Sequence, residues 1–261
     1  MIAPFLALAA LMPPDCHALA GADAFARQTR ARWVLLGEPY HGTVEQPPAA
    51  VDLICAIIKA GRPVAVAIEH AASEQPMLDA YMASDGGPSA RQALFKAVNW
   101  DPRFVDGKSS EAMLQFIDWL RVQHQWGNVT SVIAFDATEA EDSADRNMRM
   151  AVTLRAMGLG DREIIVVLTG SYHARKRVAQ EKGEIVRSPA FLLPRSRTVS
   201  ILIRNDGGNA WICQEQGCHV YPVGPRRHAR RGLTMTPTPD GAFDGVLELG
   251  TGITASLPAN R

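Results

Sequence analysis

The sequence predicts an α/β fold: a mainly parallel central sheet with helices on both faces and C-terminal antiparallel hairpin additions. Three observations predict it. Short apolar runs rich in β-branched residues recur along the chain, longer segments with helical spacing of apolar positions separate them, and the pattern changes to short strands and Gly/Pro turns after Ser188. Strands alternating with helix-length segments are the signature of crossover connections, and such connections make a sheet parallel and cover both of its faces.

The strands are expected at Trp33 to Leu36, Pro63 to Ile68, Val129 to Phe135, Glu163 to Leu168, Val199 to Ile203 and Gly245 to Leu249. Each is an apolar run short enough for a strand and bounded by polar or turn residues. The helices are expected at Ala49 to Ala60, Gln75 to Ala83, Ala90 to Ala97, Ser110 to Gln125 and Ala144 to Met157, where apolar residues recur three and four positions apart. Near Asp206-Gly207-Gly208 the turn chemistry favours hairpins added to the same sheet. No internal repeat or low-complexity tract divides the 261 residues, so residues 21–261 read as one domain.

The first twelve residues form an apolar run below the roughly 20 residues that a membrane-spanning helix needs. Such a run followed by Ala18-Leu19-Ala20, with a second cleavage position nearer Pro13, resembles a secretory signal over residues 1–20, which implies a periplasmic or secreted protein with no stable membrane span; the alternative is a buried N-terminal segment. Four cysteines fit an exported chain with disulfides. Cys213 and Cys218 flank a turn-like stretch between two strand-like segments and read as a hairpin-closing disulfide; a metal site using both thiols and His219 lacks a second Cys/His pair nearby. Cys16 pairs with Cys55 only if the signal is cut before Cys16, and otherwise Cys55 is a buried thiol. Lys plus Arg and Asp plus Glu number 27 each, which leaves no global field to recruit nucleic acid. The basic stretch Arg226 to Arg231 reads as an exposed loop.

Two histidine motifs carry the chemistry. Gly37-Glu38-Pro39-Tyr40-His41-Gly42 and Gly170-Ser171-Tyr172-His173 each follow a buried strand, and ligands bind at the carboxyl ends of strands in an open parallel sheet. The second strand ends in Glu69-His70 and the third in Asp136. A carboxylate directly after a buried run is costly unless paired or functional, so Glu38, Glu69 and Asp136 are expected with His41 and His173 on one rim. His70 is expected to point the opposite way. A carboxylate and an imidazole together activate water or bind a metal. Arg146 is expected either to turn inward toward this acidic rim or to bind an anionic substrate group, and Arg149 to pair with a nearby acid. Tyr40 and Tyr172, each directly before a motif histidine, donate to an oxyanion, ligate a haem iron or pack the loop.

In their order along the chain, Gly37-Glu38-(x2)-His41-Gly42-Thr43-(x)-Glu45, Glu69, the Arg146 to Ala151 helix and Gly170-(x2)-His173-Ala174-Arg175 resemble the superfamily that unites erythromycin esterases, ChaN-type haem-binding proteins and Tiki/TraB metalloproteases. The resemblance covers residues 30–180. It implies a ChaN- or erythromycin-esterase-like domain. The esterase branch implies that His41 is a general base acting on water, and the Tiki branch implies Zn²⁺ or Mn²⁺ held by His41, His173, Glu38 and Glu69. Together these give an exported hydrolase of ester or amide bonds acting on a small-molecule substrate. His41, polarised by Glu38 or Glu69, takes a proton from water, while His173 and Arg146 stabilise the oxyanion. The alternative is a periplasmic haem- or iron-uptake protein with Tyr40, Tyr172 or a motif histidine as axial ligand.

Overall fold

The computed structural model describes residues 16–101, 106–157, 160, 162–181, 184–224 and 228–260. The apolar leader run, Arg226 and Arg227 of the basic stretch, and residues 158–159 lie outside the described residues. Along the chain stand α1 (Ala22–Gln28), β1 (Trp33–Glu38), α2 (Gln46–Lys59), β2 (Val64–Ala71), α3 (Gln75–Met82), α4 (Pro88–Leu94), α5 (Glu111–Gln125), β3 (Val129–Asp136), α6 (Ser143–Ala156) and β4 (Ile164–Gly170). They are followed by β5 (Ala179–Glu181), β6 (Glu184–Val186), α7 (Pro189–Leu192), β7 (Thr198–Arg204), β8 (Gly208–Gln214), β9 (Gly217–Val223), β10 (Gly232–Thr234) and β11 (Gly245–Glu248). All six expected strands and all five expected helices are present; the short α1, α7, β5 and β6 are additional to them.

Seven strands form one sheet in the order β10-β11-β7-β1-β4-β2-β3, parallel throughout except for β10 against β11. The chain leaves β1 for β2 and β3, returns to lay β4 between β1 and β2, and then crosses to β7 on the other side. Such a reversal marks the carboxyl ends of β1, β4 and β2 as the usual ligand position in this architecture. Of the hairpins expected in the last quarter, β10–β11 joins the sheet edge. The β8–β9 hairpin instead forms its own two-stranded sheet. The left-handed backbone at Gly207 and Gly208 (φ 79° and 122°) turns the chain out of the main sheet, and β11 occupies the edge of β7.

Alternation along the strands builds two cores. Val34, Leu36, Val66, Ile68, Val166 and Leu168 face α1, α2 and α5. Leu35, Ala65, Ala67, Ile165 and Val167 face Met150 and Leu154 of α6. The alanines at 65 and 67 keep the second face shallow beneath α6, which packs against β3 and α7. The Asp142 carboxylate caps this helix by accepting from the Asp145 amide at 2.8 Å, fixing where its first turn begins. Two disulfides, Cys16–Cys55 and Cys213–Cys218, tie the N-terminal segment to α2 and close the β8–β9 hairpin. Oxidation of Cys213 and Cys218 to each other removes both thiols from any metal site with His219. Among the described residues no helix is long and apolar enough to cross a membrane.

Candidate active site

Strand register assembles the site. Glu38 pairs with Gly170 across β1–β4, and Leu168 pairs with Ile68 across β4–β2. Glu38, Thr169 and Glu69 therefore leave their strands at nearly one level, with Asp136 beyond them at the end of β3. Successive side chains alternate between faces, so Glu69 stands toward the α6 side and His70 away from it.

Glu69 is the hub. Its Oε2 accepts from the Thr169 hydroxyl at 2.5 Å and from the Gly170 amide at 2.7 Å. Four nitrogens surround its Oε1: Arg146 at 3.4 Å, His173 Nε2 at 3.5 Å, Lys108 Nζ at 3.7 Å and His41 Nε2 at 3.8 Å. Gly170 lies close under this cluster: a Cβ there would stand 3.2 Å from His41 Nε2, tight enough to press on the ring, and 3.5 Å from Glu69 Oε2. Arg146 turns inward and grips Asp136 with Nε and a terminal nitrogen, each at 2.7 Å, the two-point geometry that suits a guanidinium. Arg149 pairs with Asp145 on the outer face of α6. His41, Glu38, Glu69, His173 and Arg146 thus lie in one cluster, as do Asp136 and Lys108.

The two histidines have different orienting partners. His41 Nδ1 faces Glu38 Oε2 at 3.1 Å, whereas His173 Nδ1 faces the Asn147 side-chain oxygen at 2.9 Å. A carboxylate partner favours the imidazolium. An amide oxygen accepts one proton from a neutral ring and leaves the Nε2 lone pair free. Charge environment drives the same division. Burial lowers the His41 pKa, but Glu69 and the hydrogen-bonded Glu38 outweigh it and, against Lys108, push the ring up to about 9. Burial also lowers His173; Glu69 and Asp136 pull the other way, Arg146 and His41 assist burial, and the ring ends below its ordinary value. Burial alone would raise Glu69, yet His173, His41, Lys108 and the Thr169 hydroxyl hold it well below the usual carboxylate range. In Glu38 burial wins over the His41 contacts, so its carboxyl is raised; its Oε1 is buried without a hydrogen-bond partner among the described residues.

Sequence reasoning missed Lys108 and the role of Asn147. Lys108 sits in the loop before α5, where no periodic pattern marks it. His70 turns away from Glu69 and places Nδ1 at 3.2 Å from Glu74 and Nε2 at 2.8 Å from the Lys108 carbonyl oxygen, so it braces that loop. Tyr40 packs against the core and Tyr172 stands edge-on to His173, ring centres 5.5 Å apart.

The four residues of the expected Zn²⁺ or Mn²⁺ ligand set, His41, His173, Glu38 and Glu69, share this cluster, but as partners of one another and of Lys108 and Arg146. Among the described residues no group of three or more His, Cys, Asp or Glu is placed to hold a metal ion. Glu38 Oε2 is engaged by His41, and Lys108 and Arg146 present two fixed positive charges to the Glu69 oxygen that a divalent cation would need.

No protein-family model matches the chain, and no curated protein matches it in sequence. Solved structures do. A succinoglycan biosynthesis protein superposes with a TM-score of 0.66 at 10% identity, covering 90% of this chain and 91% of that one. An erythromycin esterase, EreC in its open conformation, gives a TM-score of 0.63 at 11% identity over 89% of this chain and 93% of its own. ChaN of Campylobacter jejuni, in a structure with cofacially bound haem, gives 0.51 at 15% identity over 87% and 89%. The chain has the erythromycin-esterase and ChaN fold. At these identities the likeness establishes this fold over nearly the whole chain and leaves the chemistry to the site.

Proposed function

We propose that the protein is an exported hydrolase of ester or amide bonds whose acid–base pair is His41 and His173. The observation that carries this reading is the approach of two imidazoles to Glu69 Oε1, at 3.8 Å and 3.5 Å, one oriented by a carboxylate and the other by an amide oxygen. Two titratable groups whose surroundings push their proton affinities apart make an acid and a base in one site. The roles exchange relative to the sequence-based expectation. His173, neutral with its Nε2 lone pair toward the site, takes a proton from water as the water oxygen bonds to the substrate carbonyl carbon. Arg146, the more open of the two fixed cations, stabilises the resulting oxyanion. His41, already protonated, delivers its Nε2 proton to the departing alcohol or amine as the carbon–heteroatom bond breaks. A proton passed from His173 to His41 through water restores the start, so water and ester become acid and alcohol with no net proton change.

Turnover of aryl esters and unblocked amides by the wild-type chain tests the reading. Both His173→Ala and His41→Ala are expected to lose about 10²–10⁴-fold in kcat, the usual contribution of a positioned acid or base. Wild-type turnover that survives either substitution removes this mechanism. For export, the Cys16–Cys55 bridge requires that Cys16 be retained, which favours signal cleavage upstream of it.

Haem binding is the second reading. It is supported by the fold shared with ChaN and by Tyr172, half-buried beside His173. Tyr40 fits an axial role poorly because its ring packs against the core. Hemin titration decides: a Soret shift abolished by Tyr172→Phe supports haem, and an unshifted spectrum leaves the hydrolase.

A further inference from the structure

Lys108 belongs to no sequence motif, yet its placement is among the most constrained in the molecule. The side chain is 9% exposed, and its ammonium lies 3.1 Å from Asp106, 3.3 Å from Asp136 and 3.7 Å from Glu69. Its backbone is held from three directions. His70 of β2 donates to the Lys108 carbonyl oxygen at 2.8 Å, and the Ala259 amide of the C-terminal tail donates to the Ser109 carbonyl oxygen at 2.9 Å. At Gly107 the backbone is left-handed (φ 91°), and a Cβ there would stand 2.6 Å from the Gly42 nitrogen. The loop therefore crosses directly on the residue after His41, where only glycine fits. A buried amine is costly unless it is paired, and here three carboxylates from three segments meet it.

We infer that Lys108 is the resident cation of this site, its ammonium holding the charge position beside Glu69 and Asp136 that a divalent metal would otherwise take. The groups facing it are Glu69 from β2, Asp136 from β3, Asp106 from its own loop, Arg146 from α6 and His41 from the loop after β1. Arg146 spans both oxygens of Asp136, and Lys108 fills the remaining approach to Glu69 Oε1, the oxygen that both imidazoles approach. Lys108 is thus a positioning residue. It fixes the charge and orientation of Glu69, and through Glu69 the spacing of His41 and His173. Only the kinetic part of this inference rests on the hydrolase reading.

The test uses the full oxidised chain in four forms: wild type, Lys108→Ala, Lys108→Arg and Lys108→Gln. The glutamine variant keeps much of the stem without the charge, so that a misfolded alanine variant still leaves a comparison. Thermal melting with EDTA and with Mn²⁺ is read beside ester hydrolysis. Wild-type Tm is expected to ignore both additions. The two uncharged variants should melt lower and be raised by Mn²⁺, by about 5 °C or more when Mn²⁺ stands roughly 100-fold above its Kd. In kinetics they should lose about 100-fold in kcat with KM little changed, and Lys108→Arg should recover most of it. Stoichiometric divalent metal in the wild type, stripped by EDTA with a fall in Tm, would overturn the inference. So would uncharged variants indifferent to Mn²⁺, or an arginine variant as impaired as they are. If the wild type hydrolyses nothing, the hydrolase reading falls and the Mn²⁺ response alone decides the role of Lys108.

Discussion

Glu69→Ala is expected to abolish measurable turnover and to lower the melting temperature by on the order of 10 °C. The carboxylate is 5% exposed and is the common partner of Arg146, Lys108, His41 and His173. Removing it leaves a buried ammonium, a guanidinium and an imidazolium crowded together, and breaking a buried ion pair from one side typically costs about 3–5 kcal/mol. For a chain of this size that corresponds to the stated shift in Tm. Turnover falls separately, by roughly 10²–10³-fold or more, because both imidazoles take their spacing from this residue. Glu69→Gln should retain the bonds from Thr169 and Gly170 through its amide oxygen, and so lose less stability while remaining catalytically weak. Differential scanning calorimetry of the two variants checks the ordering; an alanine variant that melts with the wild type would show that the cluster is not a coupled unit. Glu69 also sets the acid limb of stability. Its folded pKa lies well below the ordinary 4.5, so its contribution is present above that value and is lost as pH falls through the folded pKa.

Stability is expected to decline by about 3 kcal/mol between pH 6.5 and 9 through His41 alone. The ring titrates at about 9 in the folded chain against an ordinary 6.5. A group whose folded pKa is raised stabilises fully below its unfolded pKa, and that contribution is lost as pH rises through the folded value. A difference near 2.5 units corresponds to the stated energy at about 1.36 kcal/mol per unit. The His41 side chain is 21% exposed, so solvent screening trims the figure without changing its sign. His173 works in the opposite sense: its lowered pKa withdraws stability as pH falls below the ordinary value. Denaturant unfolding across this range checks the slope, and His41→Gln should flatten it.

Much of this site was legible because strand ends are legible. An apolar run that stops at Glu38, Glu69, Asp136 or Gly170 announces both a strand and what emerges from it, and in a parallel sheet those ends share an edge. Arg146 was legible in position, in the first turn of the helix expected from Ala144, and Arg149 in its pairing with a nearby acid, which is Asp145. Lys108 was not, because its place depends on contacts distant in sequence: Gly107 crossing Gly42, His70 reaching across from β2 and the tail at Ala259. The division of labour between His41 and His173 was hidden for a related reason. Each histidine looks alike in sequence, and the partner that separates them, Glu38 for one and Asn147 for the other, is three residues away in the first case and on another element in the second. The departure of β8–β9 from the main sheet likewise depended on β11, which follows it in the chain, claiming the edge of β7.

The proposed chemistry requires a protonated His41 and a neutral His173 in one site. Nitrogen-detected NMR of the chain labelled at histidine, with His41→Gln and His173→Gln used to assign the rings, reads both protonation states during a single pH titration. Both ring nitrogens of His41 are expected to stay protonated until about pH 9, while His173 at pH 7 carries its proton on Nδ1 only. A neutral His41 at pH 7, or an imidazolium at His173, would contradict that chemistry.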